Sequence, residues 1–577
     1  MTRSVHLAQQ AEAYDAIVVG SGMSGGVAAK ELTERGYRTL VLERGRPLQH
    51  GAYPMEWKAP WELPNRNLVS PEVAEEHYVQ NRDYLLRQET LPYLMNDREV
   101  PYIEDKPFTW MRANVVGGRS LLWGRQCYRW SEMDFEANAR DGFGVDWPIR
   151  YADIAPWYDH VEPYVGISGE ALGLQQLPDS RFLPPMAMNA VEQRVREGIQ
   201  RAFSDRIMTI GRVANLSQGI NGRSHCQYRN QCWRGCSYRA YFSSTGVTLP
   251  MAEATGNLTL RPNSIVHSVI YDEASGRATG VRVIDAETKQ MEEYYGKVVF
   301  LCASALGTTQ ILLNSTSNRF PNGLGNDSGV LGHYLMDHHF RVGASGEMPG
   351  FEDRYYYGRR PNGIYIPRFR NLPWDRRTRH ADFVRGYGYQ GSAFRPGWAR
   401  GMNPNLPAYG ADLKHALREP GPWVMSLVAF GETLPRHENR VYLDPNETDA
   451  YGMPVLRIDC AWGENELAMR KDMAEQAAEM LEAAGCRNIV TYDLYTPGGY
   501  GAEPGLGIHE MGTARMGRDP STSVLNAHNQ LHAVPNVFVT DGACMTSSAC
   551  QNPSITYMAL TARAVAYMDE EVKRRNL

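Results

Sequence analysis

The stretch from Tyr14 to Gly26, YDAIVVGSGMSGG, constrains this chain more than any other. An apolar, β-branched strand runs into a glycine-rich turn, and a helical stretch, Val27 to Arg35, leaves it and stops at Gly36. Gly20 permits the tight turn, Gly22 lets the backbone approach a diphosphate, and Gly25 lets the helix pack closely on the strand. The helix N-terminus then faces the negative charge. A second strand, Tyr37 to Leu42, delivers Glu43, a carboxylate suited to a pair of ribose hydroxyls. Strand, turn, helix, strand and acid all fall within about 30 residues, which predicts a dinucleotide-binding βαβ unit. Ser21, Met23 and Ser24 in the turn and Arg44 beside Glu43 join the expected cofactor set. From this unit alone, FAD and NAD remain open.

The 577 residues leave room for two or three domains around that unit. A hydrophobic share of 43% with 22% charged residues is that of a soluble globular protein. The net charge of -5 gives no basic field for nucleic acid, and no apolar window approaches the length of a membrane span. Residues 1–14 carry one arginine and no apolar core of a signal peptide, so the chain is expected to have no secretory signal of its own.

Residues 47–111, rich in Pro, Trp, Tyr and charge, read as an irregular covering or lid segment with a short helix. A second glycine-rich loop follows, with Gly117, Gly118, Ser120, Trp123 and Gly124. Its exposed amides suit a polar cofactor, and Trp123 could pack on a planar ring. Residues 131–200 look mostly helical. From Asn257 to Phe300 the pattern alternates like a strand meander containing Val266, and the strand ending near Cys302 leads into a small-residue turn at Ala303 and a helix. Residues 350–465 are strand-like and aromatic, with Tyr355, Tyr356, Tyr357, Trp374, Tyr387, Tyr389, Trp398 and Trp423. They read either as a wall for a flat hydroxylated ligand or as a plain sheet core. Glu464 to Gly485 is an amphipathic helix.

Three of the nine cysteines, Cys226, Cys232 and Cys236, crowd into eleven residues. Three soft ligands without an evident fourth suit an iron–sulfur centre of three irons. His225 could instead complete a zinc site, and a coincidental group of core cysteines is the third alternative.

The last eighty residues hold a turn-rich loop with His509, Gly512 and Thr513, a strand ending in Asp541 and Gly542, and a polar turn in which Asn552 and Pro553 open the final helix from Ser554 to Arg574. These segments, with the first fingerprint and the Gly117-Gly118 loop, resemble the glucose–methanol–choline oxidoreductase family over nearly the whole chain. The resemblance implies a mixed α/β fold, α/β with α+β character, in which a Rossmann-like FAD-binding domain is interleaved with a substrate domain on an antiparallel sheet. On this chain the FAD domain would take residues 14–46, 112–130, 255–345 and 500–577. The substrate domain would take 131–224 and 346–499, and the cysteine segment 225–240. It further implies His509 as catalytic base, Asn552 as its partner, and Asp541, Gly542 and Pro553 near the flavin. A hydride leaving a carbinol carbon requires the hydroxyl proton to leave with it, which a neutral imidazole can accept while an amide holds the oxygen.

Some sugar oxidases of that family attach their flavin to a histidine in the second glycine loop. Here the loop reads Ser120-Leu121-Leu122-Trp123, so dissociable FAD is expected. The cysteine spacing, with the stretches Gly124–Ser131 and Val145–Ile149, resembles the glucoside 3-dehydrogenase branch. That branch implies oxidation of a C3 hydroxyl of glucosides to a 3-keto sugar, a 3Fe-4S cluster on Cys226, Cys232 and Cys236, a small signal-bearing subunit and a cytochrome c acceptor. Co-export with such a partner would make the protein periplasmic, and it would otherwise be cytoplasmic. The rival readings are an oxygen-reducing sugar oxidase and a non-catalytic flavin- or zinc-binding subunit.

Overall fold

The computed structural model describes residues 13–577 except 356, 357, 359, 397–408 and 419. Its first sheet is built on β1 (Tyr14–Val19), whose last four residues are fully or almost fully buried. On one side β1 pairs in parallel with β2 (Thr39–Leu42), and β2 with β5 (Leu258–Arg261). On the other side it pairs in parallel with the second half of β8 (Met291–Leu301), which pairs in parallel with β16 (Val537–Val539). Strands buried on both faces read as continuous apolar runs, as β1 and β2 do. The first half of β8 continues into an antiparallel meander with β7 (Arg277–Asp285) and β6 (Ser264–Asp272). The stretch 257–300 is therefore not one meander. Its first strand, β5, belongs to the parallel part of the sheet, beside β2.

The turn after β1 needs its glycines for contact reasons. Gly20 has φ +95°, and a Cβ there would lie 2.5 Å from the carbonyl oxygen of Cys302. A Cβ on Gly25 would lie 1.9 Å from the carbonyl oxygen of Gly20, so only glycine lets the helix Met23–Glu34 start this close to the strand. That helix packs on the C-terminal helix Ser554–Lys573.

The second sheet is antiparallel, in the order β15 (Arg487–Asp493), β9 (Val342–Met348), β12 (Trp423–Gly431), β11 (Tyr387–Phe394), β10 (Ile364–Ile366) and β4 (Thr209–Ile210). The helices Glu464–Ala484 and Ala190–Ala202 pack against it. Burial alternates strictly along β12, which marks one face turned to the core and one turned away. A small third sheet joins β13 (Arg440–Thr448), β14 (Pro454–Asp459) and β3 (Ile103–Glu104). Between residues 131 and 200 helix is less continuous than the composition predicts, because residues 166–189 form no helix.

Tyr387, Tyr389 and Trp423 lie in the helix-covered core of the second sheet, while Tyr355 and Trp374 are exposed. These residues do not form a ligand wall. Tyr356, Tyr357 and Trp398 lie outside the described residues.

Candidate active site

One cavity of about 340 Å³ joins the first glycine turn to the C-terminal motifs. Gly20, Ser21, Gly22, Met23, Ser24, Glu43, Arg44, Gly118, Ser120, Trp123, Gly124, Val266, Ala303, Asp541 and Gly542 border it, and so do His509 and Asn552. Gly25, Gly117 and Pro553 do not. Gly25 seats the helix, Pro553 leads into the last helix, and Gly117 donates its N–H to Ser21 Oγ at 2.8 Å, fixing one glycine turn to the other.

His509 sits on a loop held by a buried carboxylate. Asp337 accepts from the backbone N–H of Gly507 and of His509, each at 2.9 Å. Burial, and then the neighbouring Glu510, push the Asp337 carboxyl up to about 7. Asn552 lies in a turn fixed by two deep contacts: Trp130 Nε1 donates to the Gln551 carbonyl at 3.3 Å, and Ser548 Oγ accepts from the Thr433 N–H at 2.9 Å. The two loops bring Asn552 Nδ2 to 3.2 Å from His509 Nε2. On the other side of the ring, His338 Nδ1 lies 2.8 Å from His509 Nδ1. Burial first, then His338 and Arg119, hold the His509 pKa well below its ordinary value, so the imidazole is neutral at pH 7.

The remaining wall comes from the second sheet and its approach, and of its residues only Gln126 falls within a stretch that the sequence singles out, Gly124–Ser131. Phe340 and Phe430 stack with centroids 5.1 Å apart and planes at 16°, and Gln126 and Gln390 present amides beside Asn552. Phe430 and Gln390 lie on the face of β12 and β11 opposite Trp423 and Tyr389, two residues of the sheet core. Period-two alternation was readable in these strands, but which face meets the cavity was not.

The family model for the N-terminal part of GMC oxidoreductases matches residues 14–340, and that for the C-terminal part matches residues 435–561. The chain belongs to the GMC oxidoreductase family. It is similar to a 2-methyl-1,2-propanediol dehydrogenase from Mycolicibacterium austroafricanum, with 29% identity over 97% of this chain and 95% of that protein. It is also similar to a fructose dehydrogenase large subunit from Gluconobacter japonicus, with 24% identity over 97% of this chain and 98% of the other. In fold it matches a pyridoxine 4-oxidase from Mesorbium loti at a TM-score of 0.60 and 17% identity, over 96% of this chain and 99% of that one.

As a GMC oxidoreductase it is an FAD-dependent enzyme acting on alcohol or sugar hydroxyls. Its own atoms fit that cofactor. The helix Met23–Glu34 begins at Gly22 with no side-chain cap, so its first N–H groups are left for an outside acceptor. Glu43 is pre-aimed: one oxygen accepts from Ser21 N at 3.0 Å and Ser21 Oγ at 2.6 Å, and the other from Gly45 N at 2.7 Å. One lone pair, on the oxygen that meets Gly45, remains for a hydroxyl. Arg44 Nε is buried without a partner on the same cavity. Asp541, pushed up to about 6 by burial, is steadied by Thr308 Oγ1 at 2.5 Å and Ala543 N at 2.9 Å.

In this GMC oxidoreductase, Cys226, Cys232 and Cys236 border a separate small recess with Asn215, Tyr228 and Tyr241. Among the described residues no group of three or more His, Cys, Asp or Glu side chains is placed to hold a metal ion. As they stand, the three sulfurs share a recess but do not make a ligand set. Burial pushes the Cys226 thiol up to about 11. His225 is exposed and absent from the recess wall, which removes the fourth ligand of a zinc site there. No helix among the described residues is long and apolar enough to cross a membrane.

Proposed function

We propose that this enzyme is a sugar dehydrogenase that oxidises a secondary ring hydroxyl of a glucoside or other pyranose, at C3, to the keto sugar. The observation that carries the sugar reading is the cavity wall: the stacked Phe340 and Phe430 offer an apolar face, and Gln126 and Gln390 a rim of amides, beside His509 and Asn552. Aromatic faces pack on the C–H surface of a pyranose while amides bond its hydroxyls. FAD, when bound, supplies the acceptor for the hydride. The chain's own groups do the rest. Neutral His509 takes the hydroxyl proton, Asn552 donates to the oxygen as negative charge builds on it, and the phenylalanine wall keeps water from the reacting carbon.

The electron acceptor in this reading is a protein, with a small partner subunit and a cytochrome c-type acceptor, and the name of the fructose dehydrogenase large subunit supports a multisubunit assembly. A 3Fe-4S centre on Cys226, Cys232 and Cys236 belongs to the same proposal. It is supported by the sharing of one recess by three thiols, and metal binding itself often completes a ligand set. Iron and acid-labile sulfide assays on the flavin-loaded protein test it, and iron near zero at full flavin content overturns it.

The deciding experiment for the reaction is anaerobic mixing with a panel of glucosides, following loss of the flavin absorbance, with product position read by NMR. Bleaching with a 3-keto product is the expected result. Bleaching by simple diols but by no sugar would overturn the sugar reading, and in a separate assay in air, peroxide released as fast as a dye is reduced would overturn the protein acceptor.

A further inference from the structure

His509 and Asn552 lie within a longer run of hydrogen bonds whose direction is set at both ends by backbone carbonyls. At one end, His338 Nε2 contacts the carbonyl oxygen of Ala549. A carbonyl only accepts, so Nε2 must carry the proton of this ring. Full burial pushes the His338 pKa down to about 4, so the ring is neutral at pH 7 and its Nδ1 holds a lone pair. That lone pair faces His509 Nδ1 at 2.8 Å, so the proton between the two rings belongs to His509 Nδ1. His509 Nε2 is then bare, and it is the nitrogen that meets Asn552 Nδ2 at 3.2 Å.

The other end is fixed in the same way. The Gly124 carbonyl accepts from Asn362 Nδ2 at 2.8 Å, and the Gly363 N–H donates to Asn362 Oδ1 at 3.0 Å, so Asn362 cannot flip. Its Oδ1 accepts from Gln126 Nε2 at 2.7 Å, while Gln126 Oε1 accepts from the Tyr128 phenol. Gln126 Nε2 also donates to Gln390 Oε1 at 3.1 Å, and Gln390 Nε2 donates to Asn552 Oδ1 at 2.8 Å. Asn552 is left with only its Nδ2 to direct at the reacting oxygen. Each amide and ring in the run has a single orientation that satisfies all its neighbours.

We propose that His338 is a positioning residue that holds His509 in the tautomer with Nδ1 protonated and Nε2 free as the base, while Gln126 and Gln390 hold Asn552 with its amide N–H toward the same oxygen. The proposal rests on the reading of His509 as the base. The two are distinguishable, because the tautomer is measurable without turnover. The charged and titratable groups around His509 are His338, Arg119, Glu510 and Asp337. Arg119 is engaged by Glu510 at 2.9 Å, and Asp337 by backbone N–H groups, so none of them competes with His338 for Nδ1.

The test begins with the wild-type flavin-loaded enzyme labelled with ¹⁵N-histidine. The His509 ring signals are assigned by their loss in His509→Ala. A protonated Nδ1 and a bare Nε2 are expected, and a protonated Nε2 would overturn the proposal whatever the enzyme's activity. The second arm compares His338→Leu with His338→Gln. A glutamine can accept from His509 Nδ1–H and donate to the Ala549 carbonyl, whereas a leucine can do neither. The flavin-reduction rate constant is expected to fall by about 10²-fold in the leucine variant and to recover most of that loss in the glutamine variant, with substrate affinity nearly unchanged in both. Equal rates in the two variants, impaired or not, would overturn the proposal. If neither variant holds flavin, the ring signals of the wild type decide it alone.

Discussion

The loops around His509 and around the three clustered cysteines are both anchored by buried carboxylates, yet only in the first are the reactive atoms aimed at one another. Asp337 holds two N–H groups of the His509 loop, and Glu56 and Glu89 hold the cysteine loop. Glu56 accepts from Ser237 N at 2.9 Å and Arg229 Nη2 at 2.6 Å, and Glu89 accepts from Arg234 Nε at 2.7 Å. At His509, hydrogen bonds from the chain itself fix both ring nitrogens. At the cysteines, backbone N–H groups face two of the sulfurs, that of Tyr228 at 3.5 Å from Cys226 Sγ and those of Ala240, Tyr241 and Tyr238 toward Cys236, but they do not bring the three sulfurs together into a ligand set. A proton-handling site can be completed by the protein's own groups, whereas a thiolate site is completed by the ion it binds.

The contrast can be broken most forcefully at its aimed end. His509→Ala is expected to lower the rate of substrate-driven flavin reduction by about 10²- to 10⁴-fold while the protein keeps its flavin, as stopped-flow absorbance would record. Loss of only a fewfold would mean that the aimed imidazole is not the group that takes the proton.

The next effect is on stability against pH. His338 has a folded pKa of about 4, below its ordinary 6.5, because of burial, so between those values the unfolded chain binds a proton that the folded one refuses. Stability is present above pH 6.5 and is lost as pH falls toward 4, by about 3 kcal/mol from this residue alone. Denaturant unfolding at pH 7 and pH 4.5 should show the loss, and His338→Gln should reduce it. Flavin reduction, by contrast, is expected to keep its rate constant as pH falls through 6.5, because the His509 pKa lies well below that value.

A smaller effect belongs to the phenylalanine wall. Phe430→Ala removes one ring of the wall and with it the apolar area a sugar would bury there, at about 25 cal/mol per Å², so KM for a glucoside should rise severalfold with kcat little changed. The smallest effect on flavin reduction is expected from Cys232→Ser, which should remove bound iron and the reduction of a protein acceptor yet leave substrate-driven bleaching in place. Bleaching lost together with the iron would join the two regions into one site.

Much of the aimed region was legible in the sequence, because its residues must be of one type. Gly20 and Gly25 admit no Cβ, Glu43 must be an acceptor at the end of its strand, and His509 and Asn552 lie in turns with few alternatives. The partners that orient them were not legible. Gln390 reaches the site through strand parity on β11, whereas His338 and Gln126 reach it from irregular segments packed beside the sheet, and neither setting marks a side chain in the sequence as facing a site. The aromatic residues misled for the same reason: Tyr387 and Tyr389 share β11 with Gln390 but point to the other face. The cysteine spacing was plain, but spacing along a loop does not give the distances between sulfurs across it.

β8 lies between β1 and β16, so the middle of the nucleotide-binding sheet is built from residues near 17, 300 and 538. During synthesis the glycine turn leaves the ribosome more than five hundred residues before the strand that completes its sheet. Pairings so distant along the chain form slowly. Six of that sheet's seven strands precede residue 302, so the far edge of β8 stays open until β16 arrives, and a complete cofactor cavity waits for Asp541, Gly542 and Asn552 that follow it.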